Sequence, residues 1–225
     1  MSYFNLAIDG PAGAGKSTIA KRIAKQLGFI YVDTGAMYRA MALYFIRNNI
    51  EAADSENIEK ACLGVDVTIE YKNGEQLVIL NGENVNGLIR TEEVGNMASA
   101  SSVNRTVRLK LVELQQNLAK KQNVVMDGRD IGTYVLPRAD LKIYLTASSD
   151  VRARRRWTEL KDKGIEADIN FIEQDIIERD NRDMNREFAP LRQAEDAIFL
   201  DSSDMTIDEV VDRIITLSGR IYTNI

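Results

Sequence analysis

A glycine-rich loop near the N-terminus constrains the fold of this chain more than any other feature. Residues 10–17 read GPAGAGKS, which matches the pattern G-x-x-x-x-G-K-[ST], and they directly follow the apolar run 4–8. The next segment, 18–27, has the apolar spacing of a helix and is followed by Gly28. A strand that passes through such a loop into a helix points backbone N–H groups and the positive end of the helix dipole at one place. The sequence therefore predicts a polyphosphate site.

The residue types in this loop each have a physical role. Gly10, Gly13 and Gly15 allow backbone angles that other residues rarely adopt, and Lys16 reaches the outer phosphates. The hydroxyl of Ser17 is the ligand that such loops give to Mg²⁺. The loop thus predicts a nucleoside triphosphate with its metal. The predicted triphosphate-binding residues are Gly10, Pro11, Ala12, Gly13, Ala14, Gly15, Lys16, Ser17 and Thr18.

Composition narrows the class of protein further. With 225 residues, 44% of them hydrophobic, the chain can bury one substantial core. Cys62 is the only cysteine, which excludes an intramolecular disulfide and suits a reducing compartment. We find neither a signal peptide nor an apolar run of about 18 residues, so we expect a cytoplasmic protein that does not bind membranes. The net charge of −5 argues against broad binding to nucleic acid.

The chain contains no histidine. This excludes Ser-His and Cys-His catalysis and the common histidine metal sites. Carboxylates, lysines and arginines remain as the chemical groups. Phosphoryl transfer is a reaction that such groups can catalyse, because it depends on positioning and on stabilising negative charge.

Short apolar segments alternate with amphipathic helices along most of the chain, which predicts an α/β fold with a parallel sheet flanked by helices. The predicted strands are 4–8, 29–33, 123–127, 141–146 and 197–201. One region, about 64–90, departs from this alternation of strands and helices. There, apolar and polar residues alternate, and the pairs Asn73-Gly74 and Asn81-Gly82 predict tight turns, so we expect a three-stranded antiparallel insertion.

Polar and charged residues lie at or after the ends of two of the predicted strands. Thr34 and Arg39 come after the second strand, at the carboxyl edge of the sheet where ligands bind in doubly wound folds. Alternatively, Thr34 caps a helix and Arg39 is a solvated helix residue. Asp127 follows the third strand, in the position of the carboxylate that polarises a metal-bound water in phosphate-loop proteins. Its alternative interpretation is a plain Asp-Gly turn with Gly128.

Arginines are concentrated in two predicted helices. The first carries arginines at 152 and 154–156, and its expected N-cap is Ser149 or Asp150. The second, around 179–186, carries three arginines with Asp183 among them, and in isolation it favours a self-neutralising salt-bridge ladder. Several arginine sites beside one triphosphate loop instead favour a kinase, which must hold two polyanions and the charge of the transferring group.

Four segments together resemble the bacterial cytidylate kinases over essentially the full length of the chain. They are DGPAGAGKST (9–18), DTGAMYRA (33–40), VMDGRDIGT (125–133) and RDNRDMNREFAPL (179–191). The resemblance implies phosphoryl transfer from ATP to CMP or dCMP, giving ADP and CDP or dCDP, by a monomer that uses Mg²⁺. It also implies a P-loop NTPase fold with a five-stranded parallel sheet, an acceptor-binding lobe that carries the antiparallel insertion, and a helical lid.

The resemblance implies the following domain limits. The core kinase domain would comprise 1–36, 118–150 and 168–225, and the acceptor nucleotide-binding lobe 37–117. Residues 151–167 would form the lid.

The resemblance also implies roles for individual residues. Thr34, Arg39 and Arg129 would bind the acceptor phosphate. Ser99, Arg108 and Asp130 would read the cytosine, and Arg179 and Asp183 would contact the ribose hydroxyls. Arg186 and the arginines that follow Arg152 would contact the transferring phosphoryl group. The implied catalytic residues are Lys16, Asp127, Arg129, Arg156 and Arg186, with Ser17 as the metal ligand.

Two other classes of protein stay open on the residues alone. A kinase of the same fold could act on UMP, shikimate or a coenzyme precursor, since such enzymes share the phosphate loop. A nucleotide-dependent switch would need guanine-reading residues, and the sequence contains no N-K-x-D motif. Cytosine presents an amine beside two acceptor atoms, so a carboxylate and an arginine complement it better than they complement uracil.

Overall fold

The computed structural model describes residues 3–222, so the ends of the predicted core domain at residues 1, 2 and 223–225 lie outside the described residues. The chain divides into two compact units, one of Met1–Tyr31 with Asn123–Ile225 and the other of Val32–Gln122. In chain order the elements are β1 (Asn5–Asp9), α1 (Lys16–Leu27), β2 (Ile30–Asp33), α2 (Thr34–Arg47), α3 (Ser55–Gly64), β3 (Val67–Lys72), β4 (Glu75–Leu80), β5 (Glu83–Asn84), α4 (Glu92–Ser101), α5 (Arg105–Ala119), β6 (Val124–Gly128), β7 (Leu141–Thr146), α6 (Ser149–Asp162), α7 (Ile169–Asn185), β8 (Ile198–Asp201) and α8 (Ile207–Tyr222).

The main sheet has five parallel strands in the order β2-β6-β1-β7-β8, which confirms the predicted α/β class. β1 is the central strand, and Asp9 at its end pairs with Gly128 of β6 and Tyr144 of β7. The alternative interpretation of Asp127 and Gly128 as a plain Asp-Gly turn is wrong. Because Gly128 pairs with Asp9, β6 continues one residue beyond Asp127 before the chain leaves the sheet.

The core of the first unit lies between the sheet and helices α1 and α8. Buried apolar side chains of β1 and β7 contact Ile19 and Ile23 of α1 and Val210 and Ile214 of α8, each pair spaced four residues apart on one helix face. Helix α8 begins with a capping box. Thr206 Oγ1 accepts from the N–H of Glu209, and Glu209 Oε2 accepts from the N–H of Thr206.

Helix α6 begins at Ser149, and Ser148 is its N-cap. We expected Ser149 or Asp150 at this position, and this was wrong by one or two residues. Short polar residues occupy three consecutive positions here, so composition alone does not identify which of them has the extended backbone of an N-cap. The helix therefore begins closer to the end of β7 than the sequence predicted.

The second unit combines a small antiparallel sheet with α2, α3, α4 and α5. The order β3-β4-β5 confirms the predicted three-stranded insertion. Asn73 and Gly74 both have positive φ, 54° and 78°, as a two-residue hairpin turn requires. Cys62 is a free, buried side chain of α3. Among residues 3–222, no helix is both long enough and apolar enough to cross a membrane.

Candidate functional site

The phosphate-binding loop connects the central strand β1 to helix α1. Gly10 has φ +153°, and a Cβ at this position would lie 1.9 Å from the carbonyl oxygen of Leu145 in β7. Gly13 and Gly15 have φ +75° and +81°, a backbone region that other residues enter only with strain. Close approach to the neighbouring strand and left-handed geometry therefore explain why the loop needs glycine at these positions.

Lys16 is the first residue of α1, and its charge is held away from water. The side chain is buried, and Nζ donates to the carbonyl oxygen of Pro11 at 2.6 Å. Burial, together with the nearby charge of Arg129, lowers the pKa of Lys16 to about 7, against the opposing effect of Asp127. A cation that is poorly solvated in this way gains more from a polyphosphate than an exposed lysine would.

Ser17 and Asp127 meet beside this lysine. Ser17 Oγ donates to Asp127 Oδ2 at 2.9 Å, and the hydroxyl of Tyr31 donates to the other carboxylate oxygen at the same distance. Asp127 is only 5% exposed. A hydroxyl and a carboxylate are hard oxygen ligands, so the donor set fits Mg²⁺, which binds through one or two protein groups and keeps several waters. The sequence did not single out Tyr31.

Asp9, at the end of β1, anchors the segment that follows β6. Its carboxylate accepts from the backbone N–H groups of Ile131 and Gly132, each at 2.7 Å, at the start of a π-helical turn, Ile131–Val135. Burial raises the pKa of Asp9 to about 7, although the two N–H donors oppose that shift. Sequence analysis missed this role; the available signal was a carboxylate that ends an otherwise apolar strand.

Four of the predicted site residues form one alternating network of charges. Arg129 Nε donates to Asp183 Oδ2 at 2.8 Å. Arg186 donates through Nη1 to Asp183 at 3.4 Å and through Nη2 to Asp130 at 3.3 Å. Burial raises the pKa of Asp183, but the charges of Arg129 and Arg186 outweigh burial and hold it below its usual range. The network joins β6 and the segment after it to the end of α7.

Arg156 and Arg179, two other predicted site residues, contact acidic residues of their own helices. Arg156 donates to Glu159 at 2.9 Å, and both side chains are 49% exposed. Arg179 lies 3.7 Å from Asp175. Earlier in α6, Arg152 is buried against Asp180 of α7. Arg152 and Arg156 of α6 therefore have separate intramolecular partners.

In the second unit, Asp33 organises the start of α2. Its carboxylate accepts from the N–H of Ala36 at 2.9 Å and is the N-cap of the helix, so the alternative that Thr34 is the cap is wrong. Arg39 and Arg90 both approach this carboxylate, at 3.3 and 2.7 Å. Burial opposes ionisation of Asp33, but the two arginines hold its pKa below the usual range. Arg90 was not identified from the sequence.

Arg108 and Ser99 lie in α5 and α4 of the same unit. The Arg108 side chain is 1% exposed, and its Nη1 donates to the carbonyl oxygen of Ser102 at 3.2 Å. Its guanidinium carbon lies 5.3 Å from the centre of the Tyr38 ring, a cation–π distance. The carbonyl oxygen of Ser99 accepts from Ser102 Oγ at 2.9 Å. Ser102 therefore connects two of the three predicted base-reading residues.

A phosphate-binding loop at the end of the central strand of a five-stranded parallel sheet defines the class: this is a P-loop nucleotide-binding protein. The same fold occurs in the crystal structure of an uncharacterized protein from Eubacterium ventriosum. The two superpose with a TM-score of 0.54 at 13% identity, over 96% of this chain and 98% of that one.

Sequence comparison identifies the family. A sequence profile of the family described as "Cytidylate kinase" matches residues 6–220. The cytidylate kinase of Caldicellulosiruptor bescii is 51% identical over 224 residues, which cover 100% of this chain and 99% of the relative. The cytidylate kinase of Lactobacillus johnsonii is 52% identical over 213 residues, covering 93% and 91%. The chain belongs to the cytidylate kinase family, and it is therefore an ATP-using kinase.

Proposed function

We propose that this protein transfers the γ-phosphoryl group of ATP to CMP or dCMP, giving ADP and CDP or dCDP. The observation that carries the proposal is the loop at the end of β1, in which Lys16 is buried and Ser17 Oγ contacts Asp127, in a chain that belongs to the cytidylate kinase family. Kinases acting on UMP, shikimate or coenzyme precursors share the loop, but they are not the family that the full-length relatives indicate.

On the donor side, residues 10–18 would form the triphosphate site, and Lys16 would contact the outer phosphate oxygens. Backbone N–H groups of the loop would bind the phosphates, except at Pro11, which has no N–H, and at Ala12, whose N–H donates to Asp180. Ser17 and Asp127 would hold Mg²⁺, which when bound neutralises charge on the phosphates. The short contact between Lys16 and Pro11 gives the lysine a partner without nucleotide. We infer that Lys16 exchanges this carbonyl for phosphate oxygens when ATP binds.

On the acceptor side, Thr34, Arg39 and Arg129 would bind the phosphate of CMP, and Ser99, Arg108 and Asp130 would read the base. Arg179 and Asp183 would contact the ribose. The second pKa of a phosphate monoester is about 6, so the acceptor oxygen is largely ionised at neutral pH and can attack without a general base. This fits a chain without histidine. Arg129, Arg156 and Arg186 would stabilise the charge of the transferring group.

The domain roles follow from the same proposal. Residues 1–36, 118–150 and 168–225 would form the core, 37–117 the acceptor lobe and 151–167 a lid that excludes water as a competing acceptor. The lid segment includes most of α6, where Arg156 lies. We further propose that the protein is a monomer in the cytoplasm, where a single free cysteine stays reduced.

The decisive experiment measures ADP release with CMP, dCMP, UMP, AMP and shikimate as acceptors. We expect turnover with CMP and dCMP to exceed turnover with the other acceptors by orders of magnitude. The Lys16→Ala variant should remain folded and lose nearly all transfer, since its charge acts on the outer phosphates. Preferred turnover of another acceptor would contradict the acceptor assignment, and near-normal turnover by Lys16→Ala would contradict the donor site.

A further inference from the structure

Two charged side chains from neighbouring helices hold the backbone on both sides of Ala12 in the phosphate-binding loop. The N–H of Ala12 donates to Asp180 Oδ1 at 2.9 Å, and the carbonyl oxygen of Ala12 accepts from Arg152 Nη1 at 2.7 Å. Arg152 belongs to the first turn of α6, and Asp180 to the second half of α7. Both backbone polar groups of Ala12 are therefore bound by side chains from outside the loop.

Arg152 and Asp180 also bind each other, and both are buried. Arg152 Nη1 donates to Asp180 Oδ2 at 2.6 Å, and Arg152 Nε donates to the carbonyl oxygen of Ala147 at 2.8 Å. The residues are 7% and 6% exposed. Removing two charges from water is costly, and a buried ion pair contributes little net stability compared with apolar side chains of the same size. Stability is therefore a weak reason for placing these charges against the loop.

The geometry around Ala12 shows what the pair does to the loop. The N–H of Ala12 donates to Asp180 and is therefore not a donor for phosphate. At the next residue, a Cβ on Gly13 would lie 3.3 Å from Cβ of Arg152, which leaves little space for a side chain there. The carbonyl of the preceding Pro11, in the same peptide group as the Ala12 N–H, is the acceptor for Lys16. Asp180 thus acts on the peptide that also contacts Lys16, and Arg152 acts on the peptide that leads to Gly13.

We propose that Arg152 and Asp180 are positioning residues for the donor triphosphate, which act by fixing the two peptide groups that flank Ala12 and so preorganise the loop before ATP binds. Preorganised donors bind an anion more tightly than a loop that must first become ordered. The proposal rests on the use of ATP by this protein and is independent of which acceptor it phosphorylates. It predicts that the pair affects the binding of the donor nucleotide far more than the binding of the acceptor.

The first experiment compares nucleotide affinities of Arg152→Lys and Asp180→Asn with the wild type by titration calorimetry, using a non-hydrolysable ATP analogue and, separately, CMP. Arg152 donates from two nitrogens, Nε and Nη1, whereas a lysine has a single nitrogen and cannot occupy both positions. Asp180 accepts from Ala12 and Arg152 with different oxygens, and an asparagine would place an NH2 group where one of these oxygens lies. We expect Kd for the ATP analogue and KM for ATP to rise about tenfold or more, with Kd for CMP changed less than about twofold.

The controls are Arg22→Lys, which alters a surface ion pair, and Glu178→Gln, an exposed carboxylate of α7. Both should leave ATP and CMP affinities unchanged. If the ion pair were purely structural, its loss would lower the melting temperature and weaken the binding of both nucleotides equally. That result would overturn the proposal. The double variant Arg152→Lys/Asp180→Asn should lose no more ATP affinity than the worse single variant, because the two residues bind each other and both act on the backbone of Ala12.

A second measurement needs no variant to fold. In the nucleotide-free wild type, the amide proton of Ala12 should exchange slowly with solvent, since it is bound to a buried carboxylate. Rapid exchange of this amide would contradict the proposal, whatever the variants do. Because the ATP analogue is titrated without an acceptor, failure of this proposal is also distinguishable from failure to phosphorylate CMP.

Discussion

Burial opposes the charges of Lys16 and Asp9, two side chains beside the phosphate-binding loop. Lys16 lies one residue past the glycine turn and has its pKa lowered to about 7, while Asp9 lies one residue before the turn and has its pKa raised to about 7. Each is therefore less charged near neutral pH than the same residue in water. Residues in a site that must bind a polyanion are expected to show such shifts.

The Lys16→Met variant tests this electrostatic environment. Lys16 has a folded pKa of about 7 against an unperturbed value of 10.5, so the folded state binds fewer protons than the unfolded state between these pH values. The cost of burying the charged lysine is therefore largest below about pH 7 and fades toward pH 10.5. We expect Lys16→Met to be more stable than the wild type near about pH 6.5, with an advantage that falls by at most about 1.4 kcal/mol per pH unit above 7.

Urea unfolding of the nucleotide-free proteins across this pH range measures the effect. The control is Lys25→Met, which changes an exposed lysine in the last turn of the same helix and should show little pH-dependent difference. A stability difference between Lys16→Met and wild type that stays constant with pH would show that Lys16 is not destabilised by burial.

Replacing Arg39 or Arg129 with alanine tests whether the acceptor site is distinct from the donor site. Each arginine is proposed to make a charge-assisted contact to the acceptor phosphate when CMP binds, worth about 1.5–3 kcal/mol, and Arg129 would act on the transferring group only during the reaction. We expect CMP affinity to fall about 10- to 150-fold in each variant, with a much smaller change for an ATP analogue. Titration calorimetry measures both, and Arg138→Ala, at an exposed position, is the control. Equal losses for the two nucleotides would contradict separate subsites.

Asp130→Asn tests base recognition. Asp130 is 4% exposed and its Oδ1 accepts from Arg186 Nη2 at 3.3 Å, which leaves this carboxylate fixed in orientation. A fixed carboxylate repels the O4 atom of uracil, whereas an amide can present either a donor or an acceptor. We expect the ratio of kcat/KM for CMP to that for UMP to fall in the variant, and not merely the rate.

Steady-state kinetics with both acceptors, with a thermal melt of the same sample, provide the measurement. Asp212→Asn changes an exposed carboxylate of α8 and should leave the ratio unaltered. A stably folded Asp130→Asn protein with the wild-type ratio would assign base recognition to Ser99 and Arg108 instead.

At the scale of elements, β1 and the π-helical turn after β6 are joined by a single side chain. Asp9 accepts two backbone N–H groups, and an asparagine could accept with only one oxygen while its amide group faced the second N–H. We expect Asp9→Asn to reduce the free energy of unfolding at about pH 8 by about 1–3 kcal/mol, the cost of leaving a buried donor unsatisfied.

The matched control for this element is Asp140→Asn. Asp140 accepts one exposed backbone bond, from the N–H of Asn5, so its replacement should cost much less. Denaturant unfolding of both variants under the same conditions makes the comparison. Equal, small losses would mean that water replaces Asp9 as the acceptor for Ile131 and Gly132.

For the whole molecule, we expect a monomer of 25.3 kDa at neutral pH. The net charge of −5 disfavours self-association, and this repulsion vanishes near the isoelectric point of about 5.0. Sedimentation equilibrium should therefore give the monomer mass at about pH 7.5 and an increasing average mass toward pH 5. A concentration-independent dimer at neutral pH would contradict the proposal.

Much of this fold followed from local patterns. The alternation of strands and helices along the chain and the antiparallel insertion were predicted, because each depends on residues that are close in sequence. Two helix starts were not. Asp33 and not Thr34 caps α2, and Ser148 and not Ser149 or Asp150 caps α6. Neighbouring polar residues have similar capping tendencies, and the packing of the preceding strand selects among them.

The sequence by itself determined the phosphate-binding loop, since the glycines, Lys16 and Ser17 act through backbone geometry within eight consecutive residues. It also determined the family. Only the tertiary structure decided which charges meet. In the sequence, Arg152 is one of several similar arginines, and Asp180 is part of an apparent surface salt-bridge ladder. In the structure they form a buried ion pair that binds the backbone of Ala12, which lies 140 residues from Arg152 and 168 residues from Asp180 in the chain. Burial sets the strength of such contacts, and burial depends on the whole fold.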